Sequence, residues 1–208
     1  MAKPSNRDKL LTEGLCVIHR HGFAASSVRD IAQAAGVPQG SFTNHFASKE
    51  AFGLEILELY FANGCETIYR TLENTALRPL DRLRAYLDAQ LAQFKRDGMR
   101  NGCLLGNLSA EASDHSELIR KRVAGIFEAR QRAVAGCLRA AIDAGELPRG
   151  LEVDDVAGFV ISSHQGALLV AKAQRSPAPI ERAHRLLFAT LLRGPTALPG
   201  SRSSSPPR

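Results

Sequence analysis

The chain lacks the marks of several common classes of protein. No apolar run approaches the roughly 18 residues of a bilayer span, so a membrane-embedded protein is not expected. The stretch Met1-Ala2-Lys3-Pro4-Ser5-Asn6-Arg7-Asp8 has no apolar h-region of the secretory kind. The expected location is therefore the cytoplasm. Cysteines 16, 65, 103 and 137 include no CxxC pair. In a reducing compartment they read as free thiols, most of them small core residues. No segment alternates apolar and polar residues as a half-buried strand does, and no repeat is present.

Enzymatic signatures are missing as well. Gly98, Gly102 and Gly106 recur every four residues, but without a preceding strand or a following Lys-Ser/Thr they make no phosphate loop. Ser109, Glu111 and His115 lie close together with no oxyanion-forming glycine turn, which argues against a hydrolytic triad. His19 and His21 flank Arg20 near a helix end, where residues two apart point in different directions and make a poor metal pair. They read instead as solvated positive charge at a helix C-terminus. No catalytic residue, cofactor or metal is expected.

What remains is a globular composition, 44% hydrophobic and 23% charged over 208 residues. That length allows one domain or two small ones and buries roughly 70% of the unfolded surface. The net charge of +6 permits a polyanionic partner without requiring one.

The most informative stretch is residues 27–46, SVRDIAQAAGVPQGSFTNHF. Ser27 and Asp30 have the spacing of a capping box. Val28, Ile31, Ala32 and Ala35 then give the following helix one apolar face. Gly36 suits a left-handed helix end, and Pro38 suits the first turn of a second, short helix. Phe42 and Phe46 share one side of that helix, leaving Gln39, Ser41, Thr43, Asn44 and His45 over the rest. Two short helices, a glycine turn and a polar second helix backed by aromatics spell a helix-turn-helix.

The remainder reads as helix after helix. A first helix is expected over 5–21 with Leu11, Leu15 and Ile18 inward, and a fourth from Ser48 to about Thr75. Leu80, Leu83, Leu87, Leu91 and Phe94 mark an amphipathic helix over 79–97. A loop follows, then a short helix over 103–112, a long one over 116–144, another over 153–174, and a last one to about Leu192. From Gly194 onward Gly, Pro and Ser dominate, so 194–208 reads as a disordered tail. The expected fold is all-α.

Residues 4–64 resemble the DNA-binding domain of the TetR family of transcriptional repressors. The resemblance rests on Gly22-Phe23, Ser26 through Ala32, Ala35-Gly36-Val37, Gly40-Ser41-Phe42, His45-Phe46 and Ser48-Lys49-Glu50. Thr43 departs from it, because the family usually carries an aromatic there. The resemblance implies a three-helix DNA-binding domain over 4–64 and a helical ligand-binding and dimerisation domain over 65–193. It also implies that the helices over 116–144 and 153–174 pair with their symmetry mates as a four-helix bundle. The partners it implies are a palindromic double-stranded DNA operator, a second copy of the chain and an inducing small molecule. The competing reading is a helical ligand-binding protein whose DNA-binding heads are silent.

Side-chain chemistry sharpens this. The amides of Gln39 and Asn44 are suited to adenine edges in the major groove, and the Thr43 methyl to a thymine methyl. Gly40 leaves room for close backbone approach. Residues 38–46 contain no Arg or Lys. Phosphate contacts are therefore expected from Arg29, Lys49 and the basic residues Lys3, Arg7 and Lys9, with Ser27, Ser41 and His45 as hydrogen-bond partners. Ser27 also caps its helix.

In the larger region, Gly102-Cys103-Leu104-Leu105-Gly106-Asn107-Leu108-Ser109-Ala110-Glu111 is similar to the electrophile- and oxidant-responsive (N-ethylmaleimide-type) branch of the family. The similarity extends to Gly166-Ala167 and from Ala171-Lys172 through Arg175-Ser176. It implies a sensing thiol at Cys103 with Lys172 nearby. A helix N-terminus and an ammonium are surroundings that favour a thiolate. Three possibilities stand side by side: a thiol sensor, a non-covalent ligand in the same cavity, or a Cys103 that is simply core. His164, on an apolar helix, could line a pocket, but a core hydrogen bond is favoured.

Overall fold

The computed structural model describes residues 4–190 and Leu192. Lys3 and the tail over 194–208 lie outside them. Among the described residues all regular structure is helical: α1 (Asn6–His21), α2 (Val28–Ala34), α3 (Gly40–His45), α4 (Lys49–Thr71), α5 (Pro79–Arg96), α6 (Leu104–Glu111), α7 (Glu117–Asp143), α8 (Val153–Gln174) and α9 (Ala178–Ala189).

Local chemistry sets most of these boundaries. Ser5 with Asp8 and Ser27 with Asp30 form complete capping boxes at α1 and α2, while Ser48 and Ser116 cap α4 and α7. Gly22, Gly36 and Gly145 take positive φ just after α1, α2 and α7, a region that costs a side chain more than it costs glycine. The α4 helix stops at Thr71, short of the expected Thr75. The Glu73 amide bonds back to Ile68 O and the Asn74 side chain accepts from the Ala76 amide, so the chain turns early.

The helices bury two apolar clusters. One joins α1–α4 to the larger region without a break: Leu10, Ile31, Phe42 and Phe52 belong to the same core as Leu104, Leu108, Ile119 and Leu168. The other fills the far end, with Leu83, Leu87, Val134, Leu138 and Val160. The α1 face turns inward on Leu10, Gly14 and Ile18, leaving the expected Leu11 and Leu15 half-buried at its edge. Exposed pairs such as Arg139–Asp154 at 2.7 Å and Lys95–Glu181 at 2.8 Å link helices, at about 0–1 kcal/mol each.

Three expectations need correction. Cys16 and Cys65 are exposed, so only Cys103 and Cys137 are core residues. Cys137 is held by a bond to Pro79 O at 3.1 Å, and burial pushes its thiol up to about 11. Secondly, α8 is apolar enough to meet the length and composition of a membrane-crossing helix, with mean hydropathy 1.2 over 18 residues. Packing between α7 and α9 explains part of that surface. Only 33% of the window is buried, and Phe159, Leu169 and Val170 remain exposed. The third is at His19, where burial at the join between head and body replaces the expected solvation.

His164 is a core residue, as favoured. Its ring stacks on His184 at 5.3 Å and shares a 3.1 Å hydrogen bond with it. Burial pushes its pKa down to about 3, with the positive charges of His184 and Arg130 adding to the effect. Burial likewise lowers His19 and His184. The unfolded chain therefore takes up protons below pH 6.5 that folded His164 refuses until about pH 3. Stability should fall as pH drops through that window, by up to about 1.4 kcal/mol per pH unit from this residue. Urea unfolding followed against pH checks this, and His164→Leu should flatten the profile.

Candidate nucleic-acid interface and sensor pocket

A six-residue helix is too short to be stable alone, so α3 depends on what stands behind it. Phe42 and Phe46 meet Phe52 of α4 with ring centroids 5.0 and 4.8 Å apart, and each other at 5.2 Å. Gly14 of α1 makes the space, since a Cβ there would lie 2.4 Å from the Phe52 ring. The turn from α2 is closed by Val37 N bonding to Ala32 O and Gly36 N to Gln33 O, with Gly36 at φ 64°. Helix α3 then opens on three-residue bonds from Ser41 to Pro38 and Phe42 to Gln39, so regular helix starts two residues after Pro38.

The outer surface of α3 is polar. Gln39, Gly40, Thr43, Asn44 and His45 are exposed, as is Arg29 on α2. Nothing lies within 4 Å of where a Cβ on Gly40 would stand. The Thr43 hydroxyl donates to Gly40 O at 3.0 Å, which turns its methyl outward from that bond. Ser41 is half-buried and accepts from the Asn6 amide at 3.4 Å, tying α3 to the start of α1. Ser27 is committed to the α2 cap through Asp30. Its partner's carboxyl is held below the usual carboxylate range by the Ser27 hydroxyl and amide.

Two expected phosphate ligands are engaged within the protein. Arg7 pairs with Glu55 and lies 5.6 Å from the Phe46 ring centroid. The Lys49 ammonium donates to Ala24 O at 3.3 Å and sits 4.7 Å from the Phe23 ring centroid. Partial burial lowers its pKa, while the Glu111 charge works the other way. The side chain of Lys49 thus ties the α1–α2 loop to α4, and what α4 offers outward at this point is its helix N-terminus.

The pocket around Cys103 has about 380 Å³ of free volume. Gly102, Cys103, Gly106, Asn107, Leu168, Leu169 and Lys172 line it, among others. Cys103 is the N-cap residue of α6 and is buried. Lys172 runs across Gly102, where a Cβ would lie 3.0 Å from its Cδ, and its ammonium donates to Asn107 Oδ1 at 3.3 Å. Thiol and lysine, 69 residues apart in sequence, therefore face one cavity. On the interior side the Cys103 Sγ lies 3.8 Å from the Tyr60 hydroxyl.

Both ends of α6 are joined to the head. His19 of α1 shares a 2.8 Å hydrogen bond with Gly102 O just before Cys103. It is desolvated there rather than solvated, because the α6 entry loop covers the end of α1. At the other end the Glu111 carboxylate accepts from Ala24 N at 3.2 Å and abuts Gly22, where a Cβ would meet it at 2.8 Å. Sequence reasoning missed both contacts, which join residues more than 80 positions apart. It also missed Arg130, although a signal was present: the arginine interrupts the buried stripe Val123, Ile126, Val134 of α7.

A helix-turn-helix presented outward by a helical body with its own cavity defines a DNA-binding regulator. Residues 10–56 match the model of bacterial regulatory proteins of the tetR family, and residues 79–187 the tetracyclin repressor-like C-terminal domain. The chain is 38% identical to the HTH-type transcriptional repressor DhaR of Mycobacterium sp. (strain GP1), covering 92% of this chain and 95% of that one. It is 33% identical to the HTH-type transcriptional repressor NemR of Escherichia coli K12 over 85% and 89% of the two chains. The crystal structure of reduced E. coli NemR superposes with TM-score 0.81 at 31% identity, over 90% of this chain and 96% of that one. A regulatory protein TetR from Rhodobacter sphaeroides gives TM-score 0.84 at 31% identity, over 88% and 97%. The chain belongs to the TetR family of regulators, on its NemR-like branch, and is a DNA-binding transcriptional regulator.

The Lys49 contacts are testable without DNA. Lys49→Ala is expected to lower the melting temperature, since an exposed cation–π contact contributes about 0.5–1 kcal/mol. An unchanged melting curve would mean that the tie to Phe23 and Ala24 contributes nothing.

Proposed function

We propose that the protein is a cytoplasmic homodimeric repressor. Two copies of α3 enter successive major grooves of a palindromic operator, and a signal at the Cys103 pocket releases them. The observation that carries this is the α3 surface: Gln39, Gly40, Thr43, Asn44 and His45 all exposed on a helix locked from behind by three phenylalanines. Gln39 and Asn44 read base edges, and Thr43 reaches a thymine methyl. Arg29, the hydroxyls of Ser27 and Ser41, His45 and the backbone amides of Lys49 and Glu50 hold the phosphates. The N-terminal unit over 4–64 carries these groups, and the unit over 65–193 carries the sensor and the dimer interface.

The exposed face of α8 supports dimerisation. Phe159, Ser162, Gly166, Leu169 and Val170 share one exposed face at helical spacing. Small residues in the middle allow a partner helix to approach closely, while the apolar residues around them gain from being covered. A dimer also supplies the second half-site that one short helix lacks.

For the signal, NemR and DhaR are both named repressors, and the Cys103–Lys172 pocket is open to a small electrophile. Adduct formation at a buried thiol requires repacking around α6, whose two ends are bonded to the head. A coupling of about 1–3 kcal/mol changes operator affinity roughly 5–150-fold, enough for release.

Two outcomes test this. Unbiased duplex selection should yield a palindrome, and Gln39→Ala and Asn44→Ala should each relax preference at particular bases, at about 1–3 kcal/mol per lost bidentate contact. Selection that returns no preferred duplex would remove the reading. Cys103→Ser should bind the operator normally in a gel shift yet fail to release it with maleimides or quinones; normal release would reject the thiol as sensor.

A further inference from the structure

The interior side of Cys103 holds an unusual set of groups. Arg130 of α7 is only 5% exposed, yet it forms no ion pair with a carboxylate among the described residues. Its guanidinium carbon lies 5.7 Å from the Tyr60 ring centroid, and Gly64 makes room for it, a Cβ there standing 3.3 Å from Nη2. Burial opposes its charge, while the Tyr60 hydroxyl oxygen beside it accepts a hydrogen bond and favours the charged form. Nearby, the buried Nε2 of His164 has no hydrogen-bond partner.

Donors outnumber acceptors around the guanidinium. Arginine brings five N–H donors and no acceptor, while each tyrosine hydroxyl brings one donor and an oxygen that can accept, and the Tyr60 oxygen accepts from Arg130. If His184 donates its Nε2 proton to His164 Nδ1 across their 3.1 Å contact, the His164 proton is on Nε2 and becomes one more donor without an acceptor. A buried cation with a phenol oxygen but no carboxylate beside it among the described residues suits an anion with two oxygens, which accept in the plane of a guanidinium fork.

We propose that Arg130 is the receptor for the carboxylate of a small organic acid that enters through the pocket beside Cys103, with Tyr60 and His164 completing its hydrogen bonds. The pocket suits the remainder of such a molecule. Its volume of about 380 Å³ lies at the small end of the range for ligand sites, and Ala110, Leu168 and Leu169 line it with apolar surface. Cys103 stands at the junction, lining the pocket on one side and touching Tyr60 on the other. This input is reversible and separate from covalent reaction at the thiol. It goes beyond the electrophile reading and survives that reading's failure.

The test uses the full-length protein, with butyrate, hexanoate and benzoate as probes and their primary amides as neutral controls of the same shape. In calorimetry and thermal melting the acids should bind and raise the melting temperature, and the amides should not. Arg130→Met should weaken acid binding at least tenfold, while Lys172→Met should leave it within a few-fold. If Arg130→Met does not fold, Tyr60→Phe serves instead, with affinity expected to fall several-fold. Cys103→Ser should keep acid binding while losing any response to maleimide, which separates the two inputs. Four results would each overturn the proposal: no acid bound by the parent protein, amides bound as well as acids, acid affinity unchanged in the Arg130 or Tyr60 variant, or acid binding lost in Lys172→Met.

Discussion

Everything the protein offers to DNA rests on three phenylalanine rings packed against a glycine. Phe42 and Phe46 hold α3 from behind and Phe52 receives them from α4, while Gly14 gives Phe52 the room it needs. A helix of six residues has almost no stability of its own, because nucleation costs more than its few hydrogen bonds return. The aromatic cluster replaces that missing stability with packing. It also fixes the rotation of α3 about its axis, which decides which side chains face outward. The polar surface exists as a surface only because the opposite one is fully committed.

The same core continues into the body, and that continuity is what makes regulation physically reasonable. Leu104, Leu105 and Leu108 of α6 are buried in the cluster that holds Leu10, Ile31 and Phe52. Helix α6 is therefore not a spectator between two separate cores. Its entry is bonded to His19 and its exit to the loop at Ala24, with Glu50 receiving the Ser116 hydroxyl a few residues on. Closely packed interiors transmit displacement instead of absorbing it. A group forced into the pocket beside Cys103 therefore disturbs contacts that α1 and α4 share.

How much of this was readable in one dimension depends on the range of the interaction responsible. Helix positions were legible because caps, glycine stops and apolar periodicity act within a few residues, and only the ends of α4 and α9 came noticeably earlier than expected. Inward and outward faces were legible in α5, where a clear leucine stripe exists, and less so in α1, where glycine replaces an apolar residue on the buried side. Cys16 and Cys65 were misjudged because cysteine is found in either environment and a single residue carries no periodicity. The fates of Lys49, Arg7 and His19 were illegible: each is decided by a partner distant in the chain.

The sequence by itself determined the helices, the helix-turn-helix and the polar character of its second helix, because capping, turn formation and amphipathicity are properties of neighbours. Only the tertiary structure decided that Cys103 and Lys172 share a cavity, that Glu111 and His19 join the body to the head, and that Arg130 is buried without a carboxylate. Those facts arise where helices far apart in sequence are pressed together, and long-range packing leaves no fixed spacing by which to read it.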